Sequence, residues 1–154
     1  MKKLVCFLLA ILLSLSLVAC GEEYEDTNGP DDFSLQTITD ENIVNLDIGA
    51  SNLSYKEQNV GSLHSSEYYS DNYNGVSQIY LEGFVGKSDV TVYIGTMSVT
   101  AGNFKLAVVL DDEIIQEIPI DTFNEEFFFE DIKGDFSIVV AGESAEFEFY
   151  LDVY

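Results

Sequence analysis

The side chains that could do chemistry in this sequence are few, and most stand alone. One imidazole is present, His64, in Ser62-Leu63-His64-Ser65-Ser66. Nucleophilic catalysis of the Ser-His-Asp kind sets an imidazole beside an exposed serine, and this polar stretch has no glycine-flanked elbow to present one. His64 therefore reads as an exposed loop residue. Cys6 and Cys20 are the two cysteines, so everything after position 20 lacks a thiol, and zinc or copper sites of the usual kind are unavailable.

Carboxylates offer calcium instead. Asp111, Asp112 and Glu113 sit together at an expected hairpin tip, and Ser70-Asp71-Asn72-Tyr73-Asn74-Gly75 has oxygen donors at alternate positions with glycine sixth. An EF-hand loop needs a bidentate glutamate at position twelve; Leu81 stands there. Either segment also suits a plain turn with solvated acids. Paired acids could hydrolyse glycosides, but that demands a cleft holding two carboxyls at a set separation. Twenty acids over residues 43–154 guarantee accidental pairs, so the chain is not expected to be an enzyme. Sugar binding suits the inventory better, because sugar rings pack on aromatics while carboxylates and amides bond their hydroxyls. Tyr68, Tyr69 and Tyr73, mixed with Asp71 and Asn72, form the most suggestive patch; Tyr150 and Tyr154 lie on the polar side of the last segment. The same tyrosines are ordinary strand residues whose hydroxyls reach water.

The charge balance narrows the partners. The 154 residues carry 28 Asp and Glu against six Lys and no Arg, a formal net charge of −22. Phosphate recognition relies on clustered Lys and Arg, so no nucleic-acid partner is expected. At 47% hydrophobic and 13% aromatic, the chain is too apolar for an acidic disordered one.

The first 19 residues read as a signal peptide: Lys2 and Lys3, then an apolar run from Leu4 to Val18 broken only by Ser14 and Ser16. The run is short of the roughly 20 residues that a spanning helix needs. Leu17-Val18-Ala19-Cys20, at its end, resembles the lipobox of bacterial lipoproteins. The resemblance implies cleavage before Cys20, diacylglycerol on the Cys20 sulfur and usually a further acyl chain, such as palmitate, on the new amino end. Two or three chains would hold the protein to a membrane, where one alone is marginal. Cleavage would leave 28 acids against Lys56, Lys87, Lys105 and Lys133, a charge of −24.

Residues 20–42 follow as an acidic tether, with Glu22, Glu23, Glu25, Asp26, Asp31 and Asp32 around Asn28-Gly29-Pro30. Some bacterial lipoproteins carry an acidic run after the lipidated Cys that directs them to the outer face of the outer membrane. Cys20-Gly21-Glu22-Glu23 resembles that signal; a solvated spacer, or Gram-positive anchoring, suits the same residues.

From about residue 43 the pattern is two-residue alternation, the strand signature. Over residues 145–154 the odd positions up to Val153 are apolar, and the even ones are carboxylates and tyrosines. Phe136, Ile138 and Val140 alternate likewise, as do Phe104, Leu106, Val108 and Leu110, and Val90, Val92 and Ile94. Further strands are expected at 44–48, 66–73, 76–85, 113–120 and 125–130, with no helix after the leader. Within Phe127-Phe128-Phe129, alternation sends two rings into the core and leaves Phe128 outside. Pro119 and the isoleucines before it suggest an edge strand. Turn signals fall at Asn74-Gly75, Gly86-Lys87-Ser88, Gly102-Asn103, Asp111-Asp112, Lys133-Gly134 and Gly142-Glu143. About eight short strands so punctuated suit an all-β, antiparallel two-sheet sandwich over residues 43–154. The spacing of Ile132, Gly134 and Phe136 ahead of a late strand resembles bacterial Ig-like and prealbumin-like sandwich domains; a jelly-roll-like order fits equally. That resemblance bears on fold and leaves function untouched.

The expectation is thus a membrane-anchored, extracytoplasmic lipoprotein of the bacterial surface or envelope. Its domain would be a non-enzymatic binding or accessory module with a glycan or protein ligand. A carbohydrate-binding surface domain is the alternative, and a small hydrolase comes last. Some surface sandwich domains cross-link a Lys to an Asn or Asp; Lys105 lies in a central segment, and nothing in the sequence requires such a bond.

Overall fold

The computed structural model describes residues 34–60 and 63–154. The leader, the lipobox with Cys20 and most of the acidic tether lie outside the described residues. The remainder is all-β and antiparallel: helix α1 (Asp40–Asn45) precedes β1 (Ser54–Val60), β2 (Leu63–Leu110), β3 (Glu113–Ile118) and β4 (Phe123–Val153). β1 and β3 each pair with β2, and β4 pairs with β2 along nearly its whole length. Among the described residues no helix is long and apolar enough to cross a membrane.

Four continuous strands stand where alternation suggests about eight. The expected turn signals, apart from Asp111-Asp112, lie inside β2 or β4 and mark bends rather than chain reversals. Pairing slips in register at Ser70/Tyr73, Tyr73/Gly75, Phe84/Ser88, Val99/Ala101 and Ala101/Asn103. Such bulges add residues to one strand, bend it and sharpen its twist. Gly75 shows why glycine marks the spot: its φ is 111°, and a side chain there would run into the backbone of Gly49 and Ala50. Asp111-Asp112 does reverse the chain, with φ of 44° and 66° between the paired Leu110 and Glu113, the left-handed pair that a two-residue hairpin favours.

Along the last stretch of β4, Ala145, Phe147, Phe149, Leu151 and Val153 are buried, while Glu146 and Glu148 face water. They join Val92, Ile94, Phe104, Leu106, Val108, Phe136, Ile138 and Val140 in the main core. Phe127 and Phe129 pack against that core and Phe128 is exposed, as alternation requires. β3 is an edge strand that stops before Pro119.

A second core lies on the face that alternation assigns to solvent. Ala107, Val109, Val139 and Ala141, on the opposite face, are buried together with Ile38, Ile43 and Val76. What covers them is residues 38–48, part of which the tether assignment takes in. Instead of a strand at 44–48 the chain forms α1. Thr39 caps it in a capping box with Asn42, and Asp40 and Glu41 occupy the first turn, where the helix dipole favours acids. Leu46, at φ 53°, ends the helix in a left-handed conformation. With α1 in place, the runs 104–110 and 136–142 are buried on both faces, which accounts for their near-continuous apolar character.

Candidate binding face

The bends decide which tyrosines reach solvent. Tyr68 is buried, stacked on Phe149 with centroids 5.1 Å apart, and its hydroxyl donates to the Ile79 carbonyl. Tyr73 is fully buried, edge-on to Phe147, and its hydroxyl donates to the Val140 carbonyl at 3.2 Å. Burial pushes the Tyr73 phenol up to about 12, with Ser77 pulling weakly the other way. Both leave the sugar-binding patch that the sequence suggests. The physical reason is parity: Tyr68 alternates with the outward Tyr69, and the slip between Ser70 and Tyr73 then exchanges inward and outward positions, so Tyr73 points inward although Tyr69 and Asp71, of the same parity, do not. Tyr69, Asp71 and Asn72 remain exposed. Asn72 is tied to its own bend, its backbone carbonyl accepting from the Asn52 amide at 3.1 Å and its side-chain oxygen from the Asn74 amide at 3.3 Å.

The other candidates also find definite places. Asp111 turns its carboxylate to the backbone N–H of Asp135 at 2.9 Å, a structural bond across the bend. Among the described residues no three His, Cys, Asp or Glu side chains are grouped to hold a metal ion, the tip Asp111-Asp112-Glu113 included. His64 is no loop residue: its backbone pairs with Asn59 of β1 and with Val153 of β4. Lys105 donates to Glu117 at 2.8 Å and Asp40 at 2.9 Å. Burial lowers its pKa, but the two carboxylates outweigh this and hold it above the usual lysine value. A charged amine is no nucleophile, which disfavours a cross-link here.

Several surface depressions are defined by these elements. One, of about 620 Å³, lies around Leu35, Ile38, Phe104, Lys105, Pro119 and Ile120. Two others, about 380 and 350 Å³, adjoin each other on the outward face of β4 residues 146–150 and share Glu67 and Glu148. Register builds this face. Glu67 pairs with Tyr150 and Tyr69 with Glu148 on one side of β4; Ser98 pairs with Glu148 on the other, and Thr96 with Phe123 beyond. Glu67, Tyr150, Gly95 and Asn124 thus form a row across neighbouring chain segments.

Tyr150 is the fixed point of the row. Its hydroxyl lies 2.7 Å from Ser65 Oγ and within 3.2 Å of the Asp152 carboxylate, to which Ser65 also donates. Its ring stands edge-on to Tyr93 at 6.3 Å and covers Gly95, where a Cβ would lie 2.8 Å from the ring. Tyr93 donates to the Asn124 side chain and Tyr154 to Glu126, each at 2.8 Å. That bond to Glu126, with slight burial, raises the Tyr154 pKa. By contrast, among the described residues neither Glu67 nor Glu148 has a hydrogen bond or ion pair for its carboxylate. Phe123 is 67% exposed and Tyr69 47% exposed, one at each end of the paired depressions.

Alternation over 145–154 signals the outward set Glu148, Tyr150 and Asp152. Glu67, Gly95 and Phe123 have no such signal, because only the strand register brings them alongside. No protein-family model and no curated protein matches the chain.

Proposed function

We propose that this protein is a lipid-anchored, extracytoplasmic lipoprotein whose domain works as a non-enzymatic binding module. The outward face of β4 would be its contact surface. The observation that carries the binding reading is the fixed aromatic face. Tyr93, Tyr150 and Tyr154 are each tied by a hydroxyl bond, while Phe123 and Tyr69 stay exposed at its ends. Aromatic side chains held in one rotamer offer contact area without further ordering cost on binding. The anchoring reading rests on Leu17-Val18-Ala19-Cys20 behind its apolar run. It places the module outside the cytoplasmic membrane, on the bacterial surface or in the envelope.

We also infer that the bent sheet folds over on itself as a two-layer sandwich. Supporting this, Phe104, beyond the bend at 99–103, meets Phe147 and Phe149 at 4.7 and 6.1 Å. A single core also takes residues from both ends of β2 and β4.

Fractionation of cells expressing the full chain tests the anchor. The Cys20→Ser variant is expected to leave the membrane fraction and lose labelling by a fatty-acid probe. Unchanged membrane retention would overturn the lipoprotein reading.

A further inference from the structure

We propose that the paired depressions on the outward face bind a neutral oligosaccharide, lying across β4 from Phe123 to Tyr69. This rests on the binding-module reading and names its ligand class. Three features of the face select sugar. First, aromatic rings stand at both ends and in the middle: Phe123, Tyr150 and Tyr69. The C–H faces of pyranose rings pack against such rings, and a tyrosine adds a polar tip. Second, the floor between them carries Glu67 and Glu148, whose carboxylates have no partner among the described residues. Each carboxylate accepts several hydrogen bonds, and sugar hydroxyls, often in adjacent pairs, supply the donors. Third, the row from Glu67 across Tyr150 and Gly95 to Asn124 spans three strand spacings, about 14 Å, which suits a short run of sugar units rather than a single ring.

The charge on the face limits the sugar to neutral kinds. Glu67, Asp71, Glu146 and Glu148 line the depressions with no lysine among the lining residues, so a uronic or sialic acid would be repelled. A cationic peptide would satisfy the carboxylates, yet it leaves the aromatic ends and the close cover of Gly95 by Tyr150 without a role. The two ligand classes also differ in salt response. Attraction between exposed charges is screened within a few ångströms at high ionic strength, whereas sugar stacking is not.

The test applies the full chain in detergent to an array of neutral host, plant and microbial glycans, with hexalysine as the cationic probe, at low salt and at about 0.5 M NaCl. Retention on a neutral glycan is expected at both salt levels, with release by the free oligosaccharide. Phe123→Ala and Tyr69→Ala should each weaken it about tenfold, roughly 1.4 kcal/mol, with unchanged far-UV circular dichroism. Glu67→Gln should weaken it too, which loss of a purely aromatic contact would not explain. Retention of hexalysine alone, lost at high salt, would overturn the glycan and leave a binding module standing. No retention of any probe by the folded chain would overturn both. Glycan retention indifferent to all three substitutions would place the sugar elsewhere and overturn this site.

Discussion

Glu143 shows how one side chain can tie an incoming segment to a domain. Its carboxylate accepts from the backbone N–H of Gln36 at 2.9 Å, Thr37 at 2.6 Å and Ile38 at 2.8 Å, from the Thr37 hydroxyl at 2.8 Å and from the Asn103 amide at 3.0 Å. Slight burial would raise its pKa, but the three backbone donors and Asn103 outweigh that and bring it down to about 2. The folded-state value lies below the ordinary 4.5, so the stabilisation is complete above pH 4.5 and is lost as pH falls toward 2. Replacing Glu143 by Gln removes the charge and turns one acceptor into a donor facing other donors. At pH 7 the Glu143→Gln variant should lose about 2 kcal/mol in urea unfolding. The gap from wild type should shrink steadily between pH 4.5 and pH 2. Equal stability at pH 7, or an undiminished gap at pH 2, would show that the latch does not hold the segment. In the sequence Gly142-Glu143 signals only a turn. A turn residue and a backbone clamp use the same letters, and nothing in local spacing says that residues 36–38 will come to lie against it.

At the scale of elements, alternation was legible wherever a strand ran straight, and it misled wherever one bent. Ala145 to Val153, Phe136 to Val140 and Phe127 to Phe129 all face as their spacing requires. Glycine- and asparagine-marked breaks specify a departure from regular pairing, but the same residues suit a reversing turn and a bulge. Only partner strands choose between them, and at Gly75 the partner Gly142 of β4 continues the ladder. Across each such bulge the inward parity can switch, which is why Tyr73 turns inward although Tyr69 and Asp71, of the same parity, face out; Tyr68 is inward by plain alternation with Tyr69. Helix α1 was hidden for another reason: six residues with one buried side chain, Ile43, show no helical period. Its signal lay in the cap, Thr39 with Asn42 three positions on. Because Ile43 is 0% exposed and anchors the second core, Ile43→Ala should cost about 3 kcal/mol. Thr39→Ala should cost about 1 kcal/mol through the lost cap. Both are read from thermal or urea midpoints. Values near zero for both would mean that α1 rests on the sheet without stabilising it.

For the whole molecule, the excess of acid is the dominant field. Residues 43–154 carry 20 acids against four lysines, and among the described residues the ion pairs are Lys87 with Asp131 and Lys105 with Asp40 and Glu117. Most carboxylates among the described residues therefore have no lysine partner. On the lipoprotein reading this field holds the domain clear of anionic headgroups, and acyl chains alone supply attachment. The same repulsion must lower stability, since folding gathers the charges into a smaller volume. Raising NaCl from about 10 mM to about 0.5 M shortens the screening length from about 30 Å to a few ångströms. The melting midpoint should rise by several degrees. A flat or falling midpoint would mean that the ion pairs, which salt weakens, outweigh the repulsion. Calcium separates screening from a site: at matched ionic strength CaCl₂ should act much as NaCl does. A saturable extra rise at millimolar calcium, abolished by Asp112→Asn, would instead restore the hairpin tip at Asp111 to Glu113 as a metal site, with Asp111 released from the Asp135 N–H to serve it.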